Sequence, residues 1–151
     1  MKIDLKTLAF SLGILALIPT QGFAASWLGS SDKGLALYEI GKASTGKLKL
    51  VCDPQNLWAD DTTPQSPQFY LLVTINNQPL SNDAFAVQTD HGYSDTFRAE
   101  GGSVLAVSNK RGWSKMIAAL SVPSRVMVKA GKRQFTLNLT NPADLRCKLH
   151  G

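Results

Sequence analysis

Hydrophobic and polar positions alternate with a period of two over most of the chain, the spacing that sends successive side chains to opposite faces of a β-strand. Leu35 and Leu37 alternate with Ala36 and Tyr38 in a first strand. In a second, Leu48, Leu50 and Cys52 share one face with Lys47 and Lys49 opposite, and the Gly41 to Gly46 stretch between the two predicts a hairpin loop. Asp53 to Pro67 is polar and holds Pro54, Pro64 and Pro67, the composition of a long surface loop. Phe69, Leu71, Val73 and Ile75 form the clearest strand, and Tyr70 and Leu72 on its other face predict that it is central and covered on both sides. After the turn residues Asn76-Asn77-Gln78-Pro79, weaker strands are expected around Phe85 to Val87, Thr96 to Arg98 and Val104 to Val107.

The period then changes. Trp113, Met116, Ile117 and Leu120 are spaced i, i+3, i+4, i+7, one face of a helix that begins at Asn109 or Gly112 and ends before Pro123. Val126 and Val128, the Gly131 turn, then Phe135, Leu137 and Leu139 predict a closing hairpin. Asn141-Pro142-Ala143-Asp144 has an Asn cap, Pro at the first helical position and an acid in the first turn, which predicts a short C-terminal helix carrying Cys147. The fold class is therefore mainly β: a single-domain β-sandwich or curled antiparallel sheet with one packed helix and a short C-terminal helix.

The N-terminus has another grammar. Lys2 and Lys6 precede an apolar run from Leu8 to Ile18, about eleven residues and too short to span a bilayer. Pro19 closes it, and Gly22-Phe23-Ala24 places small residues where a signal peptidase reads them, so residues 1–24 are expected to be a signal peptide and 25–151 one exported domain of about 125 residues. No later apolar run approaches membrane-spanning length, so the chain is expected not to span a membrane and to be periplasmic or secreted. Cys52 and Cys147 are the only cysteines, and an even pair in an exported chain is most simply one disulfide. It would close a loop of about 95 residues, worth about 4–5 kcal/mol by chain entropy. The alternatives are two free thiols or a metal pair, but the histidines, His91 and His150, stand at no zinc spacing, and no metal or cofactor is expected.

Leu48, Leu50 and Cys52 early, then Met116 to Leu120, Val126 to Val128, Phe135-Thr136-Leu137-Asn138-Leu139 and Asp144-Leu145-Arg146-Cys147 late, form a layout that resembles exported bacterial β-sandwich proteins. The resemblance is to the invasion-associated locus B family and similar periplasmic accessory proteins of type VI secretion. It covers about half of the exported chain, chiefly as a pattern of apolar positions. It implies a non-enzymatic accessory module with no catalytic residue to carry over.

Candidate chemistry is sparse. Asp90-His91-Gly92-Tyr93-Ser94-Asp95 holds the residue types of a Ser/His/Asp triad, but triads converge from separate elements, and these residues also suit a surface turn. No Gly-x-Ser-x-Gly elbow occurs. Asp53, Asp60 and Asp61 with Thr62 and Thr63 concentrate oxygen ligands in one loop, without the spacing of an EF-hand, and are read as solvated acids. Trp58 in that loop either anchors it from beneath or meets a partner.

Charge is the most informative functional feature. The chain is basic, at net +5. From Asp53 to Glu100 the acids Asp53, Asp60, Asp61, Asp83, Asp90, Asp95 and Glu100 stand against the single base Arg98. From Lys110 onward the bases Lys110, Arg111, Lys115, Arg125, Lys129, Lys132, Arg133, Arg146 and Lys148 stand against the single acid Asp144. Lys129, Lys132 and Arg133 flank the Gly131 turn and are expected to make a basic hairpin tip, which with Trp58 forms the candidate partner-binding set. Such a tip suits an acidic protein partner or an anionic envelope surface; nucleic acid is not expected, because no nucleic-acid motif is present. The expected function is an exported, non-enzymatic binding or accessory module of inhibitor, immunity or envelope type. The alternative is a small secreted hydrolase using His91 with Asp90 or Asp95.

Overall fold

The computed structural model describes residues 22–55, 57 and 69–149. The expected signal segment up to residue 21, Trp58, Asp60, Asp61, Thr62, Thr63 and His150 lie outside the described residues. The chain folds as a β-sandwich of two sheets with one packed helix. In chain order the strands are β1 (Phe23–Ala25), β2 (Leu28–Asp32), β3 (Leu35–Lys42), β4 (Gly46–Cys52), β5 (Phe69–Ile75), β6 (Gln78–Pro79), β7 (Ala84–Thr89), β8 (Ser94–Arg98) and β9 (Val104–Leu105). A 3-10 turn at Ala106–Asn109 runs into helix α1 (Lys110–Leu120), and β10 (Ser124–Ala130) and β11 (Arg133–Leu139) follow. The front sheet has the order β1-β11-β10-β7-β8, and the back sheet β2-β3-β4-β5-β6 with β9 also paired to β5.

Alternation decides what enters the space between the sheets. Leu48, Leu50 and Cys52 of β4 and Phe69, Leu71, Val73 and Ile75 of β5 are buried, as are Val126 and Val128 of β10 and Phe135, Leu137 and Leu139 of β11. Phe85 and Phe97 pair across β7 and β8 with ring centroids 5.9 Å apart. On β3 the inward phase is carried by Ala36 and Ile40, while Leu35 and Leu37 take the half-exposed outer face. Gly46 opens β4 directly under Phe135: a Cβ there would stand 1.9 Å from the ring, so only glycine lets the two sheets approach at this point. Asn109 caps α1, its side-chain oxygen accepting the Gly112 N–H at 2.9 Å, and the helix buries Trp113, Met116, Ile117 and Leu120.

Two strands come from sequence that carries no alternating signal. β2, Leu28–Asp32, is exposed along its whole length and exists by antiparallel pairing with β3. β1 joins β11 in parallel, Phe23 opposite Leu137, Ala24 opposite Asn138 and Ala25 opposite Leu139. It straddles the bond after Ala24, so two of those pairs belong to the uncut chain and one survives a cut there.

The expected C-terminal helix does not form: residues 140–149 are neither helix nor strand. Their burial alternates instead, Leu145 and Cys147 buried between exposed Asp144, Arg146 and Lys148. The backbone groups a helix would use bond elsewhere. The Ala143 N–H donates to the Ser121 carbonyl at 2.9 Å, the Arg146 N–H to the Tyr38 hydroxyl at 3.1 Å, and the Cys147 carbonyl accepts from the Trp113 indole at 2.8 Å. About two turns of helix are marginal alone, and these contacts hold the segment extended. Cys52 and Cys147 are joined in a disulfide with their Cα atoms 5.1 Å apart, tying this segment to the back sheet.

Candidate functional site

The outward face of the front sheet is built by the residues that alternation excludes from the core. With Val126 and Val128 facing in, β10 sends Arg125, Met127 and Lys129 out; with Phe135 and Leu137 facing in, β11 sends out Gln134, Thr136 and Asn138. Register then aligns them in rows. Lys129 stands between Gln134 and Ala86, with Thr96 beyond; Met127 stands between Thr136 and Gln88, with Ser94 beyond. Arg125 faces Asn138, and Arg98 of β8 faces Ala84 of β7. Among the described strand residues on this face there are three cations, Arg98, Arg125 and Lys129, and no acid. Lys132 at the hairpin turn extends the positive edge.

Not all of the expected basic tip is free. Lys129 and Lys132 are exposed and have no ion-pair partner among the described residues. Arg133 is half-buried and turned back into the fold, its Nη1 donating to Gln78 Oε1 at 3.2 Å and its Nη2 lying 3.5 Å from Asp83 Oδ1. Arg98 and Arg125 were not in the expected set. Arg98 donates to the Asn82 carbonyl at 2.9 Å and Arg125 Nε to the Asn138 side chain at 3.4 Å, and neither side chain has an ion-pair partner among the described residues. The back sheet is different: Lys47 and Lys49 share Glu39 at 2.8 and 3.1 Å, and hydrogen bonds from Lys47 and then Lys49 hold the Glu39 carboxyl below its usual range.

Asp90 to Tyr93 forms the turn between β7 and β8. Asp90 Oδ1 accepts the Arg125 N–H at 3.0 Å, and His91 Nε2 lies 3.0 Å from the Pro123 carbonyl oxygen. A carbonyl only accepts, so the proton of a neutral His91 sits on Nε2 and the ring fastens this turn to the start of β10. Ser94 accepts from the Gln88 amide at 3.4 Å, and Asp95 accepts the N–H of Thr96 at 2.8 Å. His91 Nε2 also lies 3.7 Å from Asp90 Oδ1, while Ser94 and Asp95 are engaged in bonds of their own and no serine bonds to the His91 ring.

Tyr93 closes the inner side of this turn. Its hydroxyl is buried with no hydrogen-bond partner among the described residues, and burial, then the nearby Asp95 charge, push its ionisation well above the usual tyrosine value. Removing an unpaired buried hydroxyl removes a desolvation cost. Tyr93→Phe is expected to raise stability by about 1 kcal/mol, measured as a higher urea midpoint at unchanged slope; a lower midpoint would show that the hydroxyl is satisfied.

Asp53, from the acidic loop, is buried and accepts the Leu57 N–H at 2.8 Å, which makes it a turn-fastening carboxylate. Among the described residues no group of three or more His, Cys, Asp or Glu side chains is placed to hold a metal ion, and no helix is long and apolar enough to cross a membrane. No protein-family model, no curated protein and no solved structure matches the chain.

Proposed function

We propose that this protein is an exported, non-enzymatic binding or accessory module that acts by surface contact with an acidic partner. The observation that carries the reading is the outer face of the front sheet, where Arg98, Arg125 and Lys129 stand among neutral Ser, Thr, Gln and Asn side chains with no acid among the described strand residues, Asp90 standing at its edge beside Arg125, and Lys132 continues the charge. Cations without local carboxylates leave a positive potential that steers an acidic surface toward this face. A flat sheet whose side chains are fixed by cross-strand register presents them at little conformational cost. The signal-peptide pattern of residues 1–24 and the Cys52–Cys147 disulfide support a periplasmic or secreted setting.

The test is binding to immobilised poly-glutamate, with Arg125→Glu, Lys129→Glu and Lys132→Glu combined. Arg133 is left in place because its bonds to Gln78 and Asp83 are internal. Wild-type retention is expected to fall steeply with salt and the triple variant to lose it at unchanged thermal midpoint. Salt-insensitive retention, or retention by the triple variant, would count against this face.

A further inference from the structure

A second surface, on another element, points to a different kind of contact. No acid occurs from Gly101 through Ala143, and this stretch contains the 3-10 turn and α1. Val107, in the 3-10 turn that leads into α1, is 43% exposed, and Arg111 and Lys115, one turn apart on α1, are both exposed. Lys110 and Ser114 form the neighbouring exposed row. Leu105, one residue before the 3-10 turn, is 41% exposed at the edge of the back sheet and lines a shallow hollow of about 190 Å³ together with Ser108 and the capping Asn109.

Two features of this surface are unfavourable for the fold alone. Lys110 and Arg111 occupy the first turn of α1, where the helix dipole is already positive and an acid would be stabilising; α1 has none. Leu105 and Val107 leave branched apolar side chains in water in the strand end and 3-10 turn that lead into α1. Both costs are relieved by one environment, the surface of an anionic bilayer, where lipid phosphates meet the cations and the acyl boundary takes the apolar tips. A soluble acidic protein or a free phosphate would satisfy the charges and leave Leu105 and Val107 wet.

We infer that the protein docks on an anionic lipid surface through the outward edge of α1, with Leu105 and Val107 entering the headgroup layer and Lys110, Arg111 and Lys115 contacting phosphates. The acids that flank this stretch in sequence are Glu100, which lines the same hollow as Leu105, and Asp144, which is 3.9 Å from Lys148. This inference goes beyond the acidic-partner reading and rests on cations of α1 rather than of the front sheet, although Arg98 of β8 lines the same hollow as Leu105.

Co-sedimentation of the protein as isolated from the cell, with phosphatidylcholine vesicles containing or lacking phosphatidylglycerol, tests it. Binding is expected only to the anionic vesicles. Combined Lys110→Glu, Arg111→Glu and Lys115→Glu should weaken it by roughly 100-fold or more, at about one unit of lipid-surface attraction per cation. Combined Leu105→Asn and Val107→Asn should remove the part of binding that survives high salt. All five positions are exposed, and Lys110→Gln with Arg111→Gln serves as a milder charge variant should the reversal disturb the helix. No binding to anionic vesicles, or wild-type binding by either combined variant, overturns the inference. Loss of vesicle binding in the Arg125, Lys129 and Lys132 variant alone would also overturn it while supporting the front-sheet reading. Poly-glutamate retention that is unchanged in the α1 variants separates the two.

Discussion

Replacing Trp113 by alanine is expected to lower stability by about 3–5 kcal/mol, the range for deleting a fully buried large aromatic side chain. Trp113 is 0% exposed on the inward face of α1, which also buries Met116, Ile117 and Leu120. Its indole N–H also donates to the Cys147 carbonyl at 2.8 Å, which holds the C-terminal segment against the helix. Trp113→Phe separates these contributions: it keeps most of the apolar volume and deletes the donor, and should cost about 1–3 kcal/mol for the buried carbonyl left without it. Equilibrium urea unfolding with an unchanged slope is the measurement. A cost below about 1 kcal/mol for Trp113→Ala would mean that α1 is not an integral wall of the core.

The same residues show what sequence reasoning can and cannot reach. Strands with a dry inner face and a wet outer one were legible because burial imposes period two directly on the sequence: Leu48 to Cys52, Phe69 to Ile75, Val126 to Val128 and Phe135 to Leu139 all lie where the alternation places them. Helix α1 was legible from its three-four spacing and its Asn109 cap. β1 and β2 were not, because they are held by backbone pairing to β11 and β3 and bury no stripe of their own. The C-terminal helix failed for a related reason. Asn141-Pro142 states a local preference, whereas the alternation of Leu145 and Cys147 against Asp144, Arg146 and Lys148 states a tertiary one, and over so short a segment the tertiary contacts prevailed.

The candidate surface was half legible. Lys129 and Lys132 follow from the hairpin pattern alone, but Arg133 sits at the strand end where the fold brings it to Asp83 and Gln78, residues 50 and 55 positions away in sequence. Arg125 could have been placed beside Lys129 by counting outward from Val126 and Val128. Arg98 could not, since it reaches that face only because β7 lies between β10 and β8, a strand order that no local pattern encodes. The charge asymmetry is spatial in part: Asp83 and Asp90 interleave with Arg133 and the β10 backbone, while the outer face of the front sheet and the outward edge of α1 keep their cations uncompensated by carboxylates among the described residues.

Removing the disulfide, as Cys52→Ala with Cys147→Ala so that no free thiol remains, is expected to cost about 2–5 kcal/mol. Both cysteines are fully buried, Cys52 as the last residue of β4 and Cys147 in the extended C-terminal segment. The loop they close spans 95 positions and contains every strand from β5 to β11, so opening it enlarges the unfolded ensemble of nearly the whole sandwich. The native segment keeps other anchors: Leu145 is buried, the Tyr38 hydroxyl donates to the Asp144 carbonyl at 3.3 Å and accepts from the Arg146 N–H at 3.1 Å. Those contacts are few and partly exposed, so residues 140–149 should open locally before the sheets do. Limited trypsin digestion of the double variant should therefore cut after Arg146 and Lys148 under conditions where the β10–β11 hairpin is still protected. Because Trp113 holds the same segment, Trp113→Phe in the disulfide-free background should cost less than in the wild type, a coupling measurable by a double-mutant cycle. Wild-type stability in the double variant, or free thiols at Cys52 and Cys147 in the protein isolated from cells, would refute the structural role of the bond.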